Sequence, residues 1–337
     1  MMTRENPHLS ARRQRGRSRG SHAGQTPNEN GSLAETFDSL RPLMFSIAYR
    51  MLSTVSEAED VVQEAFLRYQ RALDEGAEIE STKAYLSVVV TRLAIDELRS
   101  ARVRRETYVG QWLPEPLLTD EIESDPAEHA EQSDSLSMAF LLLLERLTPV
   151  ERAAFLLHDV FGFEYGEISK ILEKSEPNCR QLTARARKHL SEEKPRFDVS
   201  RQERNDLSAR FFSALAGNDV DDLIEMLAED AVVYGDGGGK APQWDAPVVG
   251  AERVAKLLSN VGRGIRNYSL SLELHEVNGQ PGAVVRDSEG SIVSVFVLEI
   301  VEGVVITFRS VINPDKLRHI GDVSGITSLG PGKRSRT

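Results

Sequence analysis

At 337 residues, with 40% hydrophobic content and one cysteine, the chain can bury two or three cores but cannot build a disulfide framework or a multi-cysteine metal site. No apolar run is long enough to span a bilayer, and no apolar segment follows the basic N-terminal stretch, so a cytoplasmic protein with no membrane partner, metal or cofactor is expected. The net charge of −11 argues against a nucleic-acid partner only as a sum. No lysine or arginine lies between Arg105 and Arg146, and the basic residues cluster on either side of that gap, at 92–105 and 180–188.

Residues 1–32 are rich in glycine, serine and arginine without hydrophobic periodicity, which predicts a disordered basic tail. From 33 to 110 the apolar spacing is helical, in "FDSLRPLMFSIAYRML", "EAEDVVQEAFLRYQRAL" and "TKAYLSVVVTRLAIDELRSAR". Ser56 and Ser81 are placed as N-caps. The third of these helices carries Arg92, Arg99, Arg102, Arg104 and Arg105, with Tyr85 and Tyr108 nearby, a mixture of phosphate-seeking charge and rings that stack on unpaired bases. Residues 111–132 read as an acidic linker containing Pro114, Pro116 and Pro126; Glu115, Asp120, Glu121, Glu123, Asp125, Glu128, Glu131 and, just past it, Asp134 accumulate here.

A second helical unit, 133–195, ends in a helix-turn-helix pattern. Tyr165, Ile168 and Leu172 mark a short amphipathic helix, "EKSEP" a turn, and Pro177 the first turn of the next helix. There Cys179, Leu182, Ala186 and Leu190 form the inward stripe, so Cys179 is assigned to packing. Gln181, Ala184 and Lys188 point away, flanked by Arg180, Arg187 and Arg185, a face suited to a major groove. From 200 to 318 the texture changes to helices around "RNDLSARFFSALAG", "DVDDLIEMLAE" and "GAERVAKLLSNV". The strands "YSLSLELHEV", "GAVVRD", "IVSVFVLEIV" and "VVITFRSVI" follow, joined by "NGQPG", "DSEG" and "EG" as an antiparallel meander. Residues 319–337 are expected to be a flexible tail. The fold class is therefore multidomain, all-α in front and α+β behind.

The loop "YGDGGGKAPQW" invites a phosphate-binding reading, but Ala241 and Pro242 follow Lys240, leaving no hydroxyl for a magnesium ion and no helix start. It reads as a tight turn. Asp236, His275, Asp287 and Arg309 are the polar candidates for acid–base chemistry in the back half, and their spacing forms no motif.

The order "SEAEDVVQEAFLRY", "AYLSVVVTRLAIDELRS", "RLTPVERAAFLLHDVFGFEYGEISKIL" and "NCRQLTARARKHL" resembles the extracytoplasmic-function sigma factors of bacterial RNA polymerase. The resemblance implies a sigma domain 2 that binds core polymerase through Asp60, Gln63 and Glu64. It also implies −10 contacts from Tyr85, Arg92, Arg99 and Arg102, and a domain 4 whose Arg180, Gln181, Ala184, Arg185, Arg187 and Lys188 read the −35 element of promoter DNA. The back half resembles the SnoaL-like cone fold found in a subgroup of this family, whose signatures are similar to "WLPEP", "DGGGK" and "NPDKL". That likeness implies regulation by interdomain contacts from Trp112, Leu113 and Pro114, from Asp236, Gly237, Gly238, Gly239 and Lys240, and from Asn313, Pro314, Asp315, Lys316 and Leu317. In that reading Trp112 is the apolar anchor, and Asp315 and Lys316 set register. The alternative is a ligand-sensing or catalytic SnoaL-like module, with a small molecule in its pocket, fused to a DNA-binding front half.

Overall fold

The computed structural model describes residues 33–120, 134–191, 200–244 and 246–329. The chain divides into two compact units, Met1–Ser39 and Leu40–Thr337, and of the first only the opening turns of one helix are described. The expected tail, 1–32, lies outside the described residues, as do Glu121, Glu123, Asp125, Glu128 and Glu131 of the linker.

Helices α1 (Leu33–Leu52), α2 (Val55–Asp74) and α3 (Thr82–Glu106) form the front bundle. Apolar residues of α2 at three and four spacing, Ala58, Val62, Ala65, Phe66 and Tyr69, are all buried. Ser81 caps α3 as expected, accepting from the Ala84 amide at 3.3 Å. Ser56 does not cap α2. Thr54 holds the N-cap position, and Ser56 lies in the first turn, where its amide and that of Val55 donate to the Glu115 carboxylate at 3.1 and 2.7 Å. The linker thus supplies the cap that the local sequence lacks.

The second unit comprises α4 (Met138–Leu144), α5 (Pro149–Phe155, continued by a π turn at Leu156–Val160), α6 (Tyr165–Leu172) and α7 (Glu176–Ser191). A Thr148–Glu151 capping box starts α5, and Glu173, in the left-handed region at φ 52°, ends α6 and redirects the chain into α7. Cys179 packs with Leu157, Phe163, Ile168 and Ile171.

In the back domain α8 (Arg201–Gly217), α9 (Val220–Met226) and α10 (Ala251–Asn267) cover one face of a six-stranded sheet. Its strands are β1 (Leu227–Asp236), β2 (Val248–Val249), β3 (Ser271–Val277), β4 (Gln280–Arg286), β5 (Ile292–Val301) and β6 (Val304–Val311), in the order β2-β1-β6-β5-β4-β3. The β3–β6 meander is antiparallel as expected, and β1 adds to it parallel to β6. Sequence periodicity reads helix through "LIEMLAE", yet the helix stops at Met226 and the chain enters β1 at Leu227.

Phe296, Leu298 and Phe308 face the helices, where they meet Phe211 and Leu258. Val284, Val295, Val297 and Val311 face the other way, against Leu113 of the linker, Met138 of α4 and Leu317. Burial on both faces explains why "IVSVFVLEIV", Ser294 and Glu299 apart, is a continuous apolar run rather than an alternating one. This helix-and-sheet domain has the α+β architecture expected for the back half. The expected flexible tail needs correction for its first part. Val323 bridges Ile292, the Ile292 amide donates to Asp322 O at 2.7 Å, and Leu329 is buried in the core.

Candidate nucleic-acid interface and interdomain junction

Helix α7 presents the face its pattern predicts. Cys179, Leu182, Ala186 and Leu190 are buried, while Arg180, Gln181, Ala184, Arg185, Arg187 and Lys188 are exposed. Arg180 pairs with Glu176 at 2.9 Å and lies over the Tyr165 ring, and Arg187 meets both oxygens of Asp159. All three arginines of this face keep more than half of their side-chain surface in solvent. Ion pairs this exposed are weak and readily exchanged for phosphate.

The arginines of α3 behave differently. Arg92 donates from Nε to Ile171 O and from Nη2 to Lys170 O, both at 3.0 Å, and pairs with Glu173, so it caps the C-terminus of α6. Arg102 donates to the carbonyls of Glu145 and Leu147 at the end of α4. Arg105 binds Glu145 and Leu52 O, and the fully buried Arg152 reaches Glu145 at 2.6 Å, Ser53 Oγ at 2.7 Å and Arg50 O at 3.0 Å. Burial alone would raise the Glu145 carboxyl, but Arg152 and Arg105 outweigh it and hold the group below its ordinary value. Of the expected −10 residues only Arg99 is exposed without a contact to the second unit, paired with Asp96 at 2.9 Å. Tyr85 is half-buried beside Tyr69.

On α2, Asp60 and Gln63 are exposed and Glu64 pairs with Arg68 at 2.7 Å. Leu67, 48% exposed one turn further along the same face, completes a surface that sequence reading missed.

The three signature segments meet in one junction. Asp236, at the end of β1, is fully buried and pairs with Lys316, also buried, at 2.7 Å. The same carboxylate accepts from the Tyr108 hydroxyl and from the Leu113 amide at 2.9 Å, while Lys316 also donates to Leu113 O. Burial lowers the Lys316 ammonium below its ordinary value, with Asp236 opposing the shift; burial and then Asp236 push the Tyr108 phenol up. Asn313 donates to the Tyr108 oxygen at 2.8 Å, and Lys240 pairs with Asp315 at the rim.

The glycines are required by closeness. Gly238 and Gly239 have φ of +58° and +71°, and a Cβ on Gly238 would lie 2.2 Å from the Asn313 amide nitrogen. One expectation is corrected. Leu113, 1% exposed, is the apolar anchor, whereas Trp112 is half-buried and serves as a platform, 3.9 Å from the Arg105 guanidinium and 4.5 Å from the Lys316 ammonium. Lys316 is a buried ion-pair partner of Asp236. Pro114 is buried and Pro314 opens the turn at Pro314–Lys316. Tyr108 was singled out only for base stacking, and nothing in the sequence ties it to Asp236.

The acid–base candidates are each held by a different partner: Asp236 by Lys316, His275 by Asp120 at 2.8 Å, Asp287 by the amides of Glu289 and Ser291, and Arg309 by Glu299 at 2.8 Å. A cavity of about 200 Å³ lies between Trp244, Leu257, Asn260, Ser310 and Leu329, and among the described residues no titratable side chain lines it. Among the described residues no group of three metal-ligating side chains occurs, and no helix is long and apolar enough to cross a membrane.

Residues 36–104 match the family model for Sigma-70 region 2, and residues 137–190 that for Sigma-70, region 4. The chain is 34% identical over 291 residues to the ECF RNA polymerase sigma factor SigJ of Mycobacterium tuberculosis, covering 83% of this chain and 91% of that one. It is 31% identical over 282 residues to the probable ECF RNA polymerase sigma factor SigI of the same species, covering 82% and 92%. The crystal structure of the M. tuberculosis SigJ matches with a TM-score of 0.66 at 32% sequence identity, covering 85% of this chain and 98% of that one.

Proposed function

The chain belongs to the extracytoplasmic-function sigma factors of bacterial RNA polymerase, and from that premise we propose that its compact arrangement is a closed state held by the back domain. As a transcription initiation factor it partners core polymerase and promoter DNA. In our reading the exposed face of α7 takes the −35 element, and Asp60, Gln63 and Glu64 take the polymerase, joined by Leu67. The α3 arginines reach the −10 strand only after leaving the second unit.

One observation carries this reading: Arg92 and Arg102 spend their donors on carbonyls of α6 and of the end of α4. Elements at −10 and −35 lie about 25 base pairs apart, roughly 85 Å at 3.4 Å per step. Two units docked this way, with α3 hydrogen-bonded to α6 and to the end of α4, cannot serve both elements at once. Opening is therefore a required step, and the Asp236–Lys316 junction opposes it. A contact that favours the closed state lowers apparent polymerase affinity by the fraction of chains left competent.

We assign the back domain no catalytic role, because its candidate acids and bases are engaged one by one elsewhere. Several cavities among the described residues offer room for a small-molecule ligand, one of them that of about 200 Å³ beside Trp244. That cavity adjoins the junction through Trp244, whose carbonyl accepts from Gln111 at 3.0 Å. The test is transcription with purified core polymerase. Leu113→Ala and Lys316→Met are expected to raise core affinity over the parent, while unchanged affinity and promoter output in both variants would contradict the closed-state reading.

A further inference from the structure

The sequence "NGQPG" marks the β3–β4 hairpin turn, and such turns ordinarily sit in solvent. This one is buried. Asn278 and Gly279 adopt φ of +54° and +68°, the mirror-image turn that asparagine followed by glycine favours, and Asn278 is 0% exposed. Its Nδ2 donates to Tyr49 Oη of α1 at 2.6 Å and to Leu136 O, just before α4, at 3.0 Å, while its Oδ1 accepts from the Leu117 amide of the linker at 2.9 Å. One side chain of the back domain thereby bonds both helical units and the linker between them.

The contact continues inward. Tyr49 Oη donates to Glu115 O at 2.7 Å, and the Glu115 carboxylate caps α2, the helix that carries Asp60 and Gln63. Asn278 and the three residues it bonds lie outside the signature segments, which the relay enters only at Glu115 of "WLPEP", and the β3–β4 turn is separate from the chain ends of β1 and β6 that carry Asp236 and Lys316.

We propose that Asn278 is a second latch of the closed state, distinct from the Asp236–Lys316 pair, joining the back domain through Tyr49 and Glu115 to the N-terminus of the polymerase-facing helix. The inference rests on the closed-state reading. Only asparagine meets the requirements of the site: it tolerates the left-handed backbone, offers two donors and one acceptor, and carries no charge. Aspartate would lose both donors and bury a charge with no cation bonded to it.

Asn278→Gly keeps the turn while deleting the side chain, and Tyr49→Phe deletes only the relay hydroxyl, so the two variants bear on the latch even if one folds poorly. Both are measured as full chains for core-polymerase affinity and for hydrogen exchange at the Val55 and Ser56 amides, which neither substituted side chain touches. The expected result is about a tenfold gain in apparent core affinity for Asn278→Gly, a smaller gain for Tyr49→Phe, and faster exchange at both amides in each. Lys316→Met is the reference. If it raises core affinity while Asn278→Gly and Tyr49→Phe match the parent, the latch is refuted and the closed state stands. If all three match the parent, the closed-state reading fails and the latch with it.

Discussion

Helices α3 and α7 carry the same chemistry to opposite ends. Both are basic, both belong to units that match promoter-binding regions, and both bury one stripe against their own bundle. Arg180 and Arg187 of α7 pair with Glu176 and Asp159 and Arg185 lies 4.0 Å from the buried Glu151, each arginine staying half in solvent, while Arg92 and Arg102 of α3 hold carbonyls of the neighbouring unit. The lesson lies in the acceptors. A guanidinium on an exposed carboxylate trades partners at little cost, whereas one on a helix C-terminus must break a domain contact before it can meet phosphate. On the proposed reading the free chain is ready for DNA at one end and closed at the other.

The largest effect that would break this asymmetry is expected from Lys316→Met. It leaves Asp236 as an unpaired buried charge, and breaking one partner of such a pair costs about 3–5 kcal/mol. Denaturant unfolding should show that loss, with the α3 face opened to solvent. Next, Arg180→Ala or Arg185→Ala should weaken promoter binding by about 1–3 kcal/mol, read by titration of a labelled −35 duplex, with core binding intact. Arg92→Ala sharpens the contrast. It should leave −35 binding by the free chain unchanged but raise core affinity, by about 1 kcal/mol for the lost cap of α6.

The smallest expected effect is that of acid. Glu145 is held below its ordinary carboxyl value, near 4.5, by Arg152 and Arg105 against the opposing effect of burial. The folded state thus binds fewer protons than the unfolded one in that window, so the contribution is present above the ordinary value and is lost as pH falls through the depressed one. Stability followed by denaturant from pH 7 to pH 4 should fall at the acid end, and Glu145→Gln should flatten that fall.

Much of this was legible in the residues. The helix-turn-helix and the outward face of α7 followed from a single apolar stripe, because amphipathic spacing reports directly on which side is buried. The destination of Arg92 was hidden, because its acceptors are the main-chain carbonyls of Lys170 and Ile171, which carry no side-chain signature. Strand β1 was lost in part because its first residues extend the helical pattern of "LIEM", and its parallel place beside β6 in the sheet is a tertiary fact. Trp112 drew the anchor role by size, yet the strap turns Leu113 inward and leaves the ring to cover two cations. "NGQPG" was correct as a turn and silent about burial, since a turn signal fixes φ and not its surroundings.

A chain that is closed when free and opens on polymerase is read out by the distance between labels on the exposed positions Gln63 of α2 and Gln181 of α7 in the full chain, measured by single-molecule energy transfer. One short distance is expected for the free protein, replaced by a much longer one when core polymerase and promoter DNA are added. A free chain already extended, or a transcribing complex that keeps the short distance, would contradict it.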